Sequence, residues 1–244
     1  MNDFEKLTSL IDRSQYITAL TGAGISTLSG IPDFRGEKNP IWDKYPQDRV
    51  FDSGYFKTNP VMFYDFLREI LAKEYQPNIA HKVLKHLESS GKLKAVITQN
   101  IDGLHQLAGT KKIYELHGSI YESRCLKCGS KIKYADFLKK VFQEKTPLCL
   151  CGGIIKPDIV FYGENLPEED LSMAVFHASH SDLMIVVGTS LAVQPAAFMP
   201  MYTLKNSGSV ALVNRGETYI DDRVHVKLND IKETFEKLGE YLEI

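Results

Sequence analysis

Thr21-Gly22-Ala23-Gly24-Ile25-Ser26-Thr27-Leu28-Ser29-Gly30-Ile31-Pro32-Asp33-Phe34-Arg35 follows the strand-like run Tyr16-Ile17-Thr18-Ala19-Leu20. A strand feeding a glycine turn and then a helix start is how doubly wound α/β folds hold a pyrophosphate on backbone N–H groups. Gly22-Ala23-Gly24 begins like the dinucleotide-binding fingerprint, but Thr27 replaces the last glycine of G-x-G-x-x-G. By itself the stretch therefore also fits an ordinary glycine turn. The Pro32-Asp33-Phe34-Arg35 tail adds an acid, an aromatic ring and a guanidinium where a cofactor's ribose and base would lie.

Working outward, other strand ends carry similar tips. The run 94–99 ends in Gln99-Asn100-Ile101-Asp102-Gly103, which offers polar groups to a crevice or caps a helix toward Leu107. The run 112–116 ends in Glu115-Leu116-His117-Gly118, and a histidine there suits general base chemistry at neutral pH. Leu183–Val187 leads into Gly188-Thr189-Ser190, and 210–213 into Asn214-Arg215-Gly216-Glu217. Residues 223–228 add an edge strand. Helices are expected over 3–13, 60–74, 78–87, 168–179 and 230–241, from apolar residues at helical spacing and from Asn78 and Pro60 at starts. Strand–helix alternation predicts a parallel sheet with helices on both faces, all tips along one edge. Residues 36–59, with Gly36, Pro40, Pro46 and Gly54, read as mostly loop, with Trp42 as its packing anchor. His81 and His86 read as packed or surface histidines.

The four cysteines follow C-x₂-C-x₂₀-C-x-C: Cys125, Cys128, Cys149 and Cys151. That is close to four-thiolate zinc spacing, one residue short in the second pair, and a closed site of this kind is structural. Gly152-Gly153 supplies backbone freedom for both sulfurs to reach one ion. Residues 119–156 carry eight Lys/Arg against three Asp/Glu, while the remainder carries 21 against 28. The excess reads as a solvated basic face or as a surface for an acidic partner.

With 244 residues, 43% hydrophobic and 25% charged, the chain has the material for a sizeable core. A net charge of -2 speaks against a dedicated nucleic-acid binder. The acidic Met1-Asn2-Asp3-Phe4-Glu5 start is unlike a secretory signal, and the apolar window 183–200 is broken by Gly188, Ser190, Gln194 and Pro195, unlike a membrane span. The expected compartment is the cytoplasm, whose reducing potential favours metal ligation over disulfides.

Taken in order, Gly22-Ala23-Gly24-Ile25-Ser26, Gly30-Ile31-Pro32-Asp33-Phe34-Arg35, Thr98-Gln99-Asn100-Ile101-Asp102, Leu116-His117-Gly118, the cysteines, Phe161-Tyr162-Gly163-Glu164, Gly188-Thr189-Ser190 and Asn214-Arg215 closely resemble the sirtuin family, as a bacterial-type catalytic core. The resemblance implies an NAD⁺-dependent protein lysine deacetylase or deacylase. It implies a Rossmann-like domain of residues 1–35, 77–118 and 157–244, and a smaller one from insertions 36–76 and 119–156, the second holding one structural zinc. It implies that Gly22, Ala23, Gly24, Thr27, Asp33, Phe34 and Arg35 line the phosphates and ribose. Gln99, Asn100, Ile101 and Asp102 would hold the nicotinamide half, and Gly188, Thr189, Ser190, Asn214, Arg215, Asp230 and Ile231 the adenosine half. His117 is implied as general base, with Asn100 beside it in the catalytic set. Val160, Phe161 and Gly163 on one side, and Leu191 to Val193 on the other, would clamp the acetylated peptide as an added strand. The family reaction passes the acyl group from lysine to ADP-ribose with release of nicotinamide, and loop 36–59 is placed to exclude water.

Family members that remove succinyl or malonyl groups share a Tyr-x-x-Arg after the cofactor loop. In Tyr64-Asp65-Phe66-Leu67-Arg68, Leu67 holds the arginine's place, and Arg68 is one step round the helix, about 100° away. Neutral acyl groups are the expectation, on a monomer without membrane or dedicated nucleic-acid partners. Competing readings are a mono-ADP-ribosyltransferase using the same activated ribose, a non-catalytic NAD-sensing or nucleic-acid-associated scaffold, and an NAD dehydrogenase, the last disfavoured by the missing third glycine.

Overall fold

Leu183-Met184-Ile185-Val186-Val187 is apolar and buried at every position, as a strand covered on both faces must be. It lies near the middle of a six-stranded sheet in the computed structural model, which describes residues 1–33 and 40–244. The strands, in chain order, are β1 (Ile17–Thr21), β2 (Leu93–Thr98), β3 (Ile113–Glu115), β4 (Gly118–Cys125), β5 (Lys131–Ile132), β6 (Ile155–Ile159), β7 (Leu183–Val187), β8 (Ser209–Val213) and β9 (Val226–Leu228). The large sheet runs β3-β2-β1-β7-β8-β9, all parallel. Register puts Thr21 opposite both Thr98 and Val187, Thr98 opposite Glu115, and Val187 opposite Val213. Every carboxyl end therefore reaches one edge. Strand order reverses between β1 and β7, the switch point where such sheets open a ligand crevice.

Helices cover both faces. Asp3–Arg13, Ile79–Ser89 and Ile231–Tyr241 pack Leu7, Leu10, Leu84, Leu87, Phe235 and Leu238 against Ala19, Ile185 and Ala211. The other face holds Leu20, Ile97, Met184, Val186 and Leu212 beneath Glu168–His180 and Met199–Lys205. The first helix starts with a reciprocal cap: Glu5 N donates to Asn2 Oδ1 at 2.8 Å, and Asn2 N donates to Glu5 Oε2 at 2.9 Å. Asn78 caps Ile79–Ser89 and also donates to Ile25 O at 2.8 Å and Ser29 Oγ at 2.9 Å. One side chain thus starts a helix and fixes the glycine turn.

A second sheet, β5-β4-β6, is antiparallel. Beside it a third apolar cluster joins Tyr45, Phe51, Phe56, Phe63, Tyr64 and Phe66 to Ile120, Phe137, Ile155 and Phe161. This cluster accounts for the largest departure from the expected elements. Residues 40–58 form three short helices, Pro40–Lys44, Gln47–Val50 and Ser53–Thr58, where loop was expected. Punctuation by Pro and Gly shortened these helices without abolishing them, because Tyr45, Val50, Phe51 and Phe56 bury their faces. Trp42 stacks on Phe66 at 5.6 Å and donates to Asp33 O at 2.8 Å, so it does anchor the segment.

Smaller differences have local causes. The helix toward Leu107 is a single turn, Leu104–Leu107, led by Gly103 at φ 68°. The edge strand 223–228 shortens to β9, because Asp221–Arg223 coil into a 3-10 turn held by Thr218 and Lys227 on Asp221. Extended backbone begins earlier than Val160, as β6, and the helix Tyr134–Gln143 was not anticipated. Among the described residues, no helix is long and apolar enough to cross a membrane.

Candidate active site

The two glycine turns at the switch point lie against each other. Gly22 N donates to Val187 O at 3.0 Å and Gly24 N to Gly188 O at 2.9 Å. A Cβ on Gly24 would sit 2.6 Å from Gly188 Cα, and one on Gly22 would sit 2.7 Å from Thr189 Cβ. Part of the glycine requirement is therefore turn-on-turn contact, which a single stretch of sequence does not reveal. Gln99 crosses the same junction, donating from Nε2 to Thr189 Oγ1 at 3.0 Å.

Beside this junction Asn100 N donates to Thr98 Oγ1 at 3.0 Å, and its Nδ2 donates to Gly22 O and Ser26 Oγ, both at 3.1 Å. Those acceptors orient the amide. Ser26 Oγ in turn donates to Asp102 Oδ2 at 2.7 Å, while Leu104 N donates to Oδ1 at 2.9 Å. Burial raises the Asp102 pKa above its ordinary value, and those two hydrogen bonds partly offset it. Ser26 joins Asn100 to Asp102 and was not singled out as a site residue in the sequence. Its signal was its place two residues after Gly24.

His117 follows β3 at the same edge. Its Nδ1 lies 3.0 Å from Gln99 O. A carbonyl only accepts, so Nδ1 carries the proton and Nε2 keeps its lone pair. Burial lowers the His117 pKa, and the bond to Gln99 partly offsets that. The ring is thus held as a neutral base near pH 7. Gly118 has φ 72°, and a Cβ there would meet Asp158 O at 1.9 Å, so the glycine lets β6 pass directly behind the histidine.

Beneath Asn100 runs a buried polar chain. Thr21 Oγ1 donates to Thr98 Oγ1 at 2.8 Å, so it accepts from His105 Nε2 at 3.0 Å. His105 Nδ1 and the neighbouring His81 Nε2 have no partner, and the two rings lie 4.8 Å apart. Burial pushes His105 down to about 3 and His81 down to about 4.

The remaining candidates spread along the edge. Ala23 and Gly24 are half-buried, and Thr27 is exposed with its hydroxyl on Gly24 O at 2.9 Å. Asp33 lends its carbonyl to Trp42, while Phe34 and Arg35 lie outside the described residues. Thr189 is buried and Ser190 half-buried at the tip of β7. Asn214 is half-buried, with Nδ2 on Gly216 O at 2.9 Å, and Arg215 is exposed. Asp230 caps the last helix through Glu233 N at 2.9 Å, and Ile231 packs against the core, so both side chains are engaged by the fold. Ile101 packs on the third cluster and accepts from Ile120 N at 3.3 Å.

Val160 N donates to His117 O at 2.8 Å, tying the expected peptide edge to the candidate base. Phe161 is turned inward, its ring 5.1–6.1 Å from Phe51, Phe56 and Phe63. Its N–H and carbonyl both bond Glu164, at 2.8 and 3.0 Å. Gly163, at φ 88°, is exposed. On the other expected side of the peptide, Leu191 is buried at φ 53° and Val193 is half-buried.

The cysteines converge. All four Sγ atoms lie within 4.8 Å of one another, with Cys125–Cys151 at 3.5 Å and Cys128–Cys149 at 3.8 Å. Tetrahedral zinc with bonds of about 2.3 Å needs sulfurs about 3.8 Å apart, so the short Cys149-x-Cys151 pair fits one ion. A Cβ on Gly153 would lie 2.6 Å from Cys125 Sγ, which explains that glycine better than backbone freedom does.

The Sir2 family pattern matches residues 22–195. An NAD-dependent protein deacetylase of Thermotoga maritima is 47% identical over 228 residues, covering 92% of each chain. A Sir2 structure described with p53 peptide and NAD⁺ superposes with a TM-score of 0.90 at 43% identity, covering all of this chain and 98% of the other. Another, described with a deacetylated p53 peptide and 3′-O-acetyl ADP-ribose, gives 0.91 at 43% identity, covering 99% and 98%. On this match, and on the geometry that accompanies it, the chain belongs to the Sir2 family.

Proposed function

We propose that the chain removes acetyl groups from protein lysines, with NAD⁺ as the acceptor. The observation that carries this reading is His117, a half-buried neutral imidazole with Nδ1 committed to Gln99 O and Nε2 free, at the sheet edge that also carries the linked Asn100, Ser26 and Asp102. The crevice at the switch point fits a dinucleotide, since the Gly22–Gly24 and Gly188 turns leave backbone at its floor. When bound, NAD⁺ supplies an activated ribose carbon and a nicotinamide leaving group. Asn100, oriented by Gly22 O and Ser26 Oγ, and Asp102 are the groups we assign to the nicotinamide half, with Gln99 and Ile101. His117 Nε2 takes a proton from a hydroxyl, and its neutral state near pH 7 matches that task. We assign Gly22, Ala23, Gly24, Thr27, Asp33, Phe34 and Arg35 to phosphate and ribose. The adenosine half goes to Gly188, Thr189, Ser190, Asn214, Arg215, Asp230 and Ile231, the last two through backbone. Val160, Phe161 and Gly163, opposite Leu191 and Val193, form the peptide edge, with Phe161 bracing rather than facing the peptide.

Zinc at Cys125, Cys128, Cys149 and Cys151 is closed and structural. It serves the smaller of two domains, drawn from 36–76 and 119–156, while 1–35, 77–118 and 157–244 form the larger. Shared burial of Phe51, Phe63, Phe137 and Ile155 in one cluster supports joining the two insertions. A cytoplasmic location is the accompanying reading, supported by four cysteines suited to ligation in a reducing compartment, together with a monomeric state.

Neutral acyl groups are favoured by the placement of Arg68. Its Nη1 donates to Val141 O at 2.7 Å and Glu144 O at 2.9 Å, and its Nη2 pairs with Asp65 at 2.6 Å. Tyr64 is buried with its hydroxyl on Ile155 O. Both groups are committed to the fold rather than to an acyl carboxylate. Mass spectrometry of an acetyl-lysine peptide, with and without NAD⁺ and with His117→Ala, tests the proposal. Acetate should leave only with NAD⁺ and wild-type protein. NAD⁺ consumption with an untouched peptide would instead point to ADP-ribose transfer.

A further inference from the structure

Lys156 is a charged side chain only 6% exposed. Its ammonium donates to Ile159 O at 2.6 Å and pairs with Glu164 Oε2 at 2.9 Å. It also lies 4.0 Å from the centre of the Phe161 ring. Glu164 Oε2 accepts a second bond, from Phe161 N at 2.8 Å, and Glu164 N closes the turn on Phe161 O at 3.0 Å. A buried ammonium is costly unless its donors are matched, and here a carbonyl, a carboxylate and an aromatic face match them. The backbone from Ile159 to Glu164 is therefore wrapped around one cation.

The wrapping sorts the segment's polar groups. Phe161 N and O are turned onto Glu164. Tyr162 N donates to Phe51 O at 2.7 Å, and Tyr162 O accepts from Ser53 N at 3.2 Å. Val160 N is held by His117 O. Among the described residues, the Val160 carbonyl and the Gly163 backbone N–H and C=O keep no protein partner. Those are the groups an incoming strand can pair with.

We infer that Lys156 and Glu164 are positioning residues for the acylated substrate: their pair holds Ile159–Glu164 in the turn that presents Val160 and Gly163 to the peptide backbone. The inference rests on reading 160–163 as the peptide edge. Among the described residues, neither side chain touches the cofactor turns or His117 Nε2, so the effect falls on peptide binding. Loss of the pair leaves Phe161 N–H free to compete and lets the turn open.

The test is steady-state kinetics of Lys156→Met, Glu164→Gln and Lys156→Arg, together with hydrogen–deuterium exchange over 159–165 with and without acetyl-lysine peptide. Wild type should show peptide-dependent protection there. Lys156→Met and Glu164→Gln should raise the peptide KM by about tenfold, equivalent to about 1.4 kcal/mol, with kcat and the NAD⁺ KM within about twofold. Lys156→Arg should recover most of the loss. Glu164→Gln, at a partly exposed carboxylate, keeps the test alive if Lys156→Met does not fold. Protection in wild type with an unchanged peptide KM in the variants overturns the inference and spares the edge. Absence of protection in wild type removes the edge reading, and the inference with it. An equal loss in kcat, both KM values and melting temperature would mean that the pair is merely structural.

Discussion

The cofactor wall and the peptide wall proposed for the candidate crevice are built by different means. At the cofactor wall, the polar groups sit within a few residues of strand ends whose register is set by the large parallel sheet: Thr21 opposite Thr98 and Val187. At the peptide wall, Val160 and Gly163 are held by groups far away in the chain: Phe51 and Ser53 on Tyr162, Phe63 on Phe161, and Lys156 from within. The first wall comes from backbone register and close glycine contacts. The second comes from aromatic packing, an ion pair on a buried lysine and a metal-held module. Damage should therefore separate them.

Metal removal is the largest expected effect. Chelation, or Cys125→Ser, removes on the order of 10 kcal/mol of folding energy from the zinc module. Activity should fall to background while the parallel sheet keeps a cooperative melt and NAD⁺ binding, read by circular dichroism and calorimetry. Loss of both walls together would show that they are one folding unit.

Next in size, His117→Ala should lower kcat by about 10²–10⁴-fold with little change in NAD⁺ affinity. In wild type, kcat/KM should fall with acid only below the ordinary histidine value of 6.5, because burial lowers the His117 pKa and the base is active when deprotonated. An acid limb above that value would break the assignment.

Gly24→Ala probes the junction of the turns. Its Cβ would be 2.6 Å from Gly188 Cα, backbone against backbone, so relief requires a turn to move. A cost of about 1–3 kcal/mol is expected, with a raised NAD⁺ KM and an unchanged peptide KM. An equal rise in both would blur the distinction between the walls.

The pH dependence of stability also belongs to the cofactor wall. His81 and His105 have folded pKa values near 4 and 3 against an ordinary 6.5. Below pH 6.5 the unfolded chain binds protons that the folded chain refuses. Stability should thus rise with pH between about 4 and 6.5, by up to about 1.4 kcal/mol per unit for each histidine. Urea unfolding across that range measures the slope, and a flat profile would mean the pair is hydrated.

The smallest expected effect is Arg68→Ala. It removes hydrogen bonds to Val141 O and Glu144 O and should cost about 1–2 kcal/mol in thermal stability. The ratio of succinyl to acetyl turnover should stay unchanged, since the arginine is occupied by the zinc module. A shifted ratio would return Arg68 to the acyl pocket.

The sequence alone determined the elements with strong local signatures. Leu183–Val187 is apolar throughout, Asn2 and Asn78 cap their helices, and four cysteines keep metal spacing, so strand, helix and zinc module were legible from neighbours in the chain. The candidate base was legible too, because His117 stands at a strand end before a glycine. Tertiary structure alone decided what lies between distant residues. It set the tautomer of His117 through Gln99 O, bridged Asn100 to Asp102 through Ser26, packed Gly24 on Gly188, and folded 40–58 into helices around Phe161. The physical reason is range: caps, periodicity and ligand spacing act within a few residues, whereas burial, van der Waals approach and desolvation depend on which side chains the finished fold brings together.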